Sequence, residues 1–367
     1  MAAIRPDDFT FLQNLLKTRS GLVVTPDKSY LLESRLTPVA RSFGYADIGA
    51  LVTKLRGNRD EKLAKSVIDA MTTNESSFFR DSRPFDQFRK TVLPALVKAR
   101  AGQRKLRIWS AACSSGQEAY SIGISLLEDR AAWTGFKVDI LGTDLSTDIL
   151  TRAQEGKYSQ FEVQRGLPIQ LLVKYFDQAG DRWQIKRDLR SMVQWREFNL
   201  LDSLSSLGSF DIVFCRNVLI YFDQPTKRRV LEAIARQMPE DGYLFLGGAE
   251  TVLGITDRFQ PADGLRGIYQ LAGAAKAGRA KTGVAAMRPA AVASKPSASE
   301  RPAASGASVS AGATRTGAAG ATRTSAPGGN SIGPGRAGSA GLGRGASTGA
   351  GGGTGTLRRY SSLSTKR

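Results

Sequence analysis

Two acids set the chemical question. Glu118 falls on the first turn of a helix that follows an apolar run and a loop of tiny residues, "WSAACSSGQEAYSI". Asp144 ends the next apolar run, "DILGTD", 28 residues after Gly116. A strand that feeds a helix through a small-residue loop brings backbone N–H groups close to a ligand, and an acid at the end of the second strand reaches ribose hydroxyls. The usual phosphate-loop glycines are missing, however, and a carboxylate on the first helical turn repels a pyrophosphate. Each acid has an ordinary reading too: Glu118 suits the helix dipole, and a strand-end Asp is often a helix cap. Together, two acids at adjacent strand ends suit a nucleoside joined to an ammonium or a sulfonium. S-adenosyl-L-methionine meets that description.

Three more stretches could complete such a site. "TTNESSFFRD" spaces Asn74, Ser76 and Arg80 evenly, which in an extended segment puts them on one side. "FNLLD", with Asn199 and Leu200, and "FCRNVLIYFD", with Arg216, Asn217 and Tyr221, follow strands where adenine and the reactive end of a cofactor would lie. Phe78, Phe79 and Phe222 read as core rather than as stacking partners. The chain has no histidine, which removes Ser-His-Asp triads, Cys-His pairs and His-ligated zinc. Its two cysteines, Cys113 and Cys215, lie far apart, exclude a cysteine-based zinc site and fit a reducing compartment. No metal is expected.

The elements that must position these residues change character along the chain. In the first hundred residues "DDFTFLQNLLKTRSG" places Phe9, Leu12 and Leu16 on one helical face and stops at Gly21; "DKSYLLESRLTPVARSFG" repeats the pattern with Leu32, Leu36, Val39 and Phe43. Pro38 is expected to kink or split that second helix. "ADIGALVTKLRG" and "DEKLAKSVIDAM" complete a small bundle. From Lys105 the rhythm becomes short apolar runs between helices: "LRIWSA", "KVDILGTD", "MVQWREFN", "FDIVFC", "GYLFLG" and "RGIYQL". That alternation predicts a mostly parallel α/β sheet with helices on both faces and a ligand beyond the carboxyl ends of its strands.

Composition bounds the rest. At 367 residues and 41% hydrophobic the chain is an ordinary globular one or two domains long. There is no run of about 18 apolar residues and "MAAIRPDDFT" does not read as a secretion signal, so a cytoplasmic location is expected. The net charge is +19, but fourteen Lys/Arg and a single acid lie from Leu271 onward, so +13 of it belongs to the tail. That tail is Ala, Gly, Ser, Thr and Pro dotted with Arg and is expected to be disordered. A basic disordered segment can hold an anionic partner weakly and nonspecifically, although Tyr360 is its one aromatic.

The motifs "TTNESSFFRD", "WSAACSSGQEAYSI", "DILGTDLSTDILTRAQEGKY", "FNLLD" and "FDIVFCRNVLIYFD", in this order and spacing, closely resemble the chemotaxis receptor methyltransferases, the CheR family, from about Asp8 to Leu271. The resemblance implies an S-adenosyl-L-methionine-dependent protein-glutamate O-methyltransferase of methyl-accepting chemotaxis receptors. It implies a helical domain and connecting segment over 1–80, a Rossmann-like methyltransferase domain over 81–271 with a small antiparallel β insert at about 158–192, and the tail over 272–367. By the same resemblance Asn74, Ser76, Arg80, Glu118, Asp144, Asn199, Leu200, Arg216 and Asn217 bind the cofactor, and Arg80 and Tyr221 stand at the reacting centre. Glu118 and Asp144 would take its amino-acid and ribose parts, Asn199 and Leu200 its adenine region, and Arg216 with Asn217 its far side. Arg80 is left to act on either the substrate's or the cofactor's carboxylate.

Arg35 and Arg41 on the second helix are candidates for steering an acidic substrate. Some family members use the insert to grip a tethering peptide from the receptor's C-terminus; the short turn "DQAGDRW" predicts no strong tether binding here. Two alternatives stand beside the enzyme: a non-catalytic module that senses S-adenosylmethionine or its product on a signalling array, and methylation of a receptor outside chemotaxis.

Overall fold

The computed structural model describes residues 4–57 and 60–273, which lie in one compact unit. Four helices come first: α1 (Pro6–Ser20), α2 (Ser29–Ser42), α3 (Ile48–Gly57) and α4 (Glu61–Met71). Leu12 and Leu16, Leu32 and Leu36, Leu51 and Val52, and Leu63 and Val67 recur at three-to-four-residue or adjacent spacing, so each helix turns one stripe into a shared core. Pro6 in the first turn opens α1, Asp7 and Asp8 complement its dipole, and Gly21 ends it in the left-handed conformation. Helix α2 runs unbroken through Pro38, so of the kink or split expected there the split does not occur. Pro38 and Ser34, whose carbonyl loses its helical partner, are both exposed to solvent.

Residues 72–82 connect the bundle to α5 (Arg83–Gln87), which passes through a π-helical turn into α6 (Leu93–Ala99). The α/β part then alternates: β1 (Lys105–Ala111), α7 (Gln117–Glu128), β2 (Lys137–Asp144), α8 (Thr147–Glu155), the insert, β6 (Val193–Glu197), β7 (Ile212–Cys215), α12 (Gln224–Arg236), β8 (Tyr243–Leu246), β9 (Phe259–Pro261) and β10 (Ile268–Leu271). The insert holds β3 (Lys157–Ser159), α9 (Gln160–Gln164), α10 (Ile169–Tyr175), β4 (Phe176–Ala179), β5 (Arg182–Ile185) and α11 (Arg187–Arg190).

The main sheet has the order β6-β2-β1-β7-β8-β10-β9. Its first five strands are parallel, and β10 is antiparallel to both neighbours. Ile108, Ile212, Phe214 and Phe245 enter one core, while Trp109, Val213, Cys215, Leu244 and Leu246 enter the other. Burial on both faces is why these strands read as continuous apolar runs. Strand β9 carries no such run. It is a three-residue edge strand ending in proline, a residue tolerated where no ladder partner is needed.

The chain leaves β1 toward β2 and β6, then returns to β7 beside β1 and proceeds the other way. That reversal opens a crevice beyond the carboxyl ends of β1, β2 and β7. The insert's three-stranded antiparallel sheet, β3-β5-β4, has only Gly180 and Asp181 between β4 and β5. It packs behind the crevice: the Tyr158 hydroxyl donates to the Ser115 carbonyl (2.6 Å), and its ring meets Phe78 edge-on at 4.9 Å.

Candidate cofactor and active site

A cavity of about 940 Å³, open mouth included, occupies the crevice, a size suited to one small ligand. Its floor is the loop after β1. Ala112 and Ser114 both take left-handed backbone conformations there (φ +52° and +53°), strain of the kind that functional loops hold. The turn points the Ser114 N–H at Asp144 Oδ2 (2.8 Å), while Oδ1 accepts from the Ser146 N–H (3.1 Å). Asp144 is thus fixed by backbone on both oxygens and lines the cavity at 6% exposure. It is not the cap of α8, whose N-cap is Ser146. Burial pushes its carboxyl up, opposed by the N–H donors of Ser146 and Ser114.

Glu118 stands on the first turn of α7 with its carboxylate between Ser110 Oγ (2.8 Å) and Arg216 Nη1 (3.1 Å). Burial raises its carboxyl and the Arg216 charge opposes that. The helix-dipole reading is therefore incomplete, since a surface carboxylate would need no such partners. Arg216, its side chain 1% exposed, also donates through Nη2 to the Arg80 carbonyl (2.8 Å) and Asp81 Oδ2 (2.7 Å) and lies 5.6 Å over the Phe85 ring. Its guanidinium therefore ties the segment carrying Arg80 to Glu118.

Asn74, Ser76 and Arg80 all line the cavity, but by a route the even spacing did not foresee. Phe79, Asp81 and Ser82 have φ of +48°, +68° and +44°, so the chain turns at 78–82 instead of running extended through Arg80. Thr72, Thr73, Glu75 and Ser77 line the cavity as well. Arg80 Nη1 donates to the Glu75 carbonyl (3.1 Å), and Ser114 Oγ donates to the Asn74 carbonyl (2.9 Å). Phe78 is fully buried core; Phe222 is buried and also lines the cavity.

Leu200, Asn217 and Tyr221 line the cavity too. Asn199 does so with its amide already engaged: Nδ2 donates to the Arg19 carbonyl (2.7 Å) and Oδ1 accepts from the Leu201 N–H (3.0 Å). Its side chain thus joins the end of α1 to the α/β part. Arg35 does not stand free for steering. Its Nη1 donates to the Met71 and Thr72 carbonyls (both 2.9 Å) and Nη2 to Thr73 Oγ1 (3.3 Å), which holds the end of α4 where the cavity segment begins. Arg41 is exposed and lines a separate depression with Arg5, Asp8 and Glu33.

Several lining residues escaped the sequence reading. Leu145 and Phe198 are the apolar neighbours of Asp144 and Asn199, and Val218 follows Asn217, so adjacency was a usable signal. Ser20 and Leu22 come from the end of the helical bundle, and nothing local marks them as site residues.

The lining chemistry decides what fits. Buried Asp144 and partly buried Glu118 face the cavity, apolar side chains wall it, and of its two arginines Arg216 is balanced by Glu118 and Asp81. A cationic nucleoside derivative fits that donor set; a pyrophosphate does not. The CheR methyltransferase all-alpha domain model matches residues 7–72, and the CheR methyltransferase SAM binding domain model matches 74–268. The chain belongs to the CheR methyltransferase family. Chemotaxis protein methyltransferase 1 of Pseudomonas aeruginosa is 45% identical over 257 residues, 69% of this chain and 93% of that one. Chemotaxis protein methyltransferase Cher2 of Pseudomonas putida is 42% identical over the same shares, and the chemotaxis protein methyltransferase of Borreliella burgdorferi 34% over 68% and 90%. Among solved structures, PKMT2 from Rickettsia typhi in complex with AdoHcy superposes with a TM-score of 0.29 at 14% identity, covering 48% of this chain and 26% of that one, too slight a likeness to bear on the site.

This CheR-family chain is an S-adenosylmethionine-dependent methyltransferase. Asp144 and Glu118 line one cavity together with the apolar Leu22, Leu145, Phe198 and Leu200. No helix among the described residues is long and apolar enough to cross a membrane, and none of their His, Cys, Asp and Glu side chains cluster as metal ligands.

Proposed function

We propose that the chain methylates glutamate side chains on the cytoplasmic domain of methyl-accepting chemotaxis receptors. Bound S-adenosylmethionine supplies an activated methyl group, and its transfer to a glutamate carboxylate gives the methyl ester and S-adenosylhomocysteine. The observation that carries this reading is the missing base. Every acid lining the cavity is engaged: Glu118 with Arg216, Asp144 with two backbone N–H groups, and Glu75 with Arg165. No histidine exists to replace them. A nucleophile that is already ionised at neutral pH, as a glutamate is, needs none, so orientation and desolvation are what the protein contributes.

In this reading Arg80, on the turn that Arg216 ties down, balances a carboxylate at the reacting end, and Tyr221 lines the same end. Residues 1–80 serve as the helical domain and connector and 81–271 as the catalytic domain, with 158–192 as its insert. The two-residue turn between β4 and β5 leaves little loop to enclose a receptor tether, so no strong tether binding is expected; micromolar affinity for such a peptide in calorimetry would refute this. The tail and any weak anionic partner it holds fall outside the described residues. The function is tested by incubating the full chain and its receptor signalling domain with methyl-labelled S-adenosylmethionine. Base-labile label on receptor glutamates, lost in Arg80→Ala and Asp144→Ala, is expected. Cofactor binding without label on any receptor would instead favour the sensing module or a different substrate.

A further inference from the structure

Glu250 belongs to none of the motifs above. It sits on the loop after β8, 9% exposed, and its carboxylate gathers five backbone N–H groups. Oε2 accepts from Asn217 and Gly247, both at 2.7 Å; Oε1 accepts from Val218 (3.0 Å), Leu219 (2.8 Å) and Ile220 (3.3 Å). Successive N–H groups that converge in this way make an anion cradle. Here the chain fills its own cradle.

Two local features accompany that carboxylate. Asn217 is left-handed (φ +59°), which turns its N–H inward at a cost in backbone energy. Gly247 approaches so closely that a Cβ on it would stand 2.7 Å from Glu250 Oε2 and 3.0 Å from the Asn217 nitrogen. The cradled backbone carries Asn217, Val218 and Tyr221 on the cavity wall, and the Tyr221 carbonyl accepts the Val23 N–H (3.0 Å) from the bundle. Glu118 and Asp144, by contrast, stand on α7 and at the end of β2; Asp144 is held by the Ser114 and Ser146 N–H groups, and Glu118 by Ser110 and by Arg216, the residue just before the cradle.

We propose that Glu250 is a positioning residue for methyl transfer: by filling the cradle at residues 217–220 it holds Tyr221 at the reacting end of the cavity. This rests on the methyltransferase reading of that cavity. Since the acids that hold the cofactor stand on other strands, losing Glu250 is expected to slow transfer much more than it weakens cofactor binding. The cradle, once emptied, should also accept a small carboxylate from solution.

The test uses the full chain as Glu250→Ala. Expected are a kcat at least about tenfold lower, a Kd for S-adenosylhomocysteine within about threefold of wild type, and faster amide exchange at residues 217–220. Formate or acetate should restore both kcat and exchange protection saturably, whereas sodium chloride at equal ionic strength should not. A kcat within about twofold of wild type overturns the proposal, as does a loss that formate leaves unchanged in both readouts. Should the alanine variant fail to fold, Glu250→Gln, whose amide oxygen still accepts part of the cradle, takes its place. A fall in kcat with cofactor affinity retained supports the proposal, and equal losses in both overturn it. If wild type labels no receptor, the glutamate reading falls, while formate-dependent exchange at residues 217–220 still decides the role of Glu250.

Discussion

Asp144→Asn alters the cavity floor by a single atom and one charge. Each carboxylate oxygen accepts one backbone N–H, from Ser114 at 2.8 Å and Ser146 at 3.1 Å. A carboxylate offers about four lone-pair sites, and the Leu145 N–H also acts on it, so about one or two remain for cofactor hydroxyls. Hydrogen bonds to a charged acceptor contribute about 1.5–3 kcal/mol, and each 1.4 kcal/mol is tenfold, so the Kd for S-adenosylhomocysteine should rise by about 10- to 150-fold. The new amide must also point its NH₂ at one of the two N–H donors, which costs about 1–3 kcal/mol of stability. Isothermal titration calorimetry on the full chain reads the first effect and a thermal melt the second. Burial holds the Asp144 carboxyl above its ordinary value, so wild-type affinity should decline as pH falls through that raised pKa, a dependence the variant should lack. A folded variant that binds within about twofold of wild type would remove Asp144 from the cofactor contacts and with it the account of the floor.

Three other perturbations test separate parts of the structure. Asp69 is pushed up to about 6, chiefly by burial, with Lys65 opposing and Asp148 adding to the rise. Between the ordinary carboxylate value and about 6 the folded chain holds more protons than the unfolded one, so stability is lost as pH rises through that window. Asp69→Asn should therefore gain about 1 kcal/mol at pH 7.5, after discount for partial exposure, and nothing near pH 4, as read by urea unfolding at both. Gly166 sits at φ +91° where a Cβ would collide with the Phe78 carbonyl; Gly166→Ala should cost more than about 2 kcal/mol and weaken cofactor binding by displacing the segment that leads to Arg80. Asn199→Ala removes the bonds to the Arg19 carbonyl and the Leu201 N–H; a loss of about 1–2 kcal/mol in denaturant unfolding is expected, with a smaller change in cofactor affinity than Asp144→Asn gives.

What could be read from the sequence was whatever is local. Helical periodicity marked α1 to α4 because each stripe repeats within one turn, and apolar runs marked β1, β7 and β8 because burial on both faces leaves a nearly unbroken signature. Glu118 and Asp144 were legible because strand–loop–helix order fixes where a strand-end acid stands. The lack of histidine bounded the chemistry before any fold was known. Edge strand β9, three residues ending in proline, was not legible, and of the kink or split expected at Pro38 the split does not occur.

Tertiary structure alone decided which groups are already engaged. Arg35 looked like a surface cation and instead clamps the Met71 and Thr72 carbonyls; Arg216 and Asn199, expected at the cofactor, are largely occupied in joining distant segments. Ser20 and Leu22 reach the cavity only because the bundle packs over it. Glu250 acquires meaning from four consecutive N–H groups about thirty residues away. Side-chain identity and period are properties of neighbours along the chain, so the sequence states them. Hydrogen-bond partners and burial depend on segments that folding brings together across loops of any length, and for those only the folded molecule has the answer.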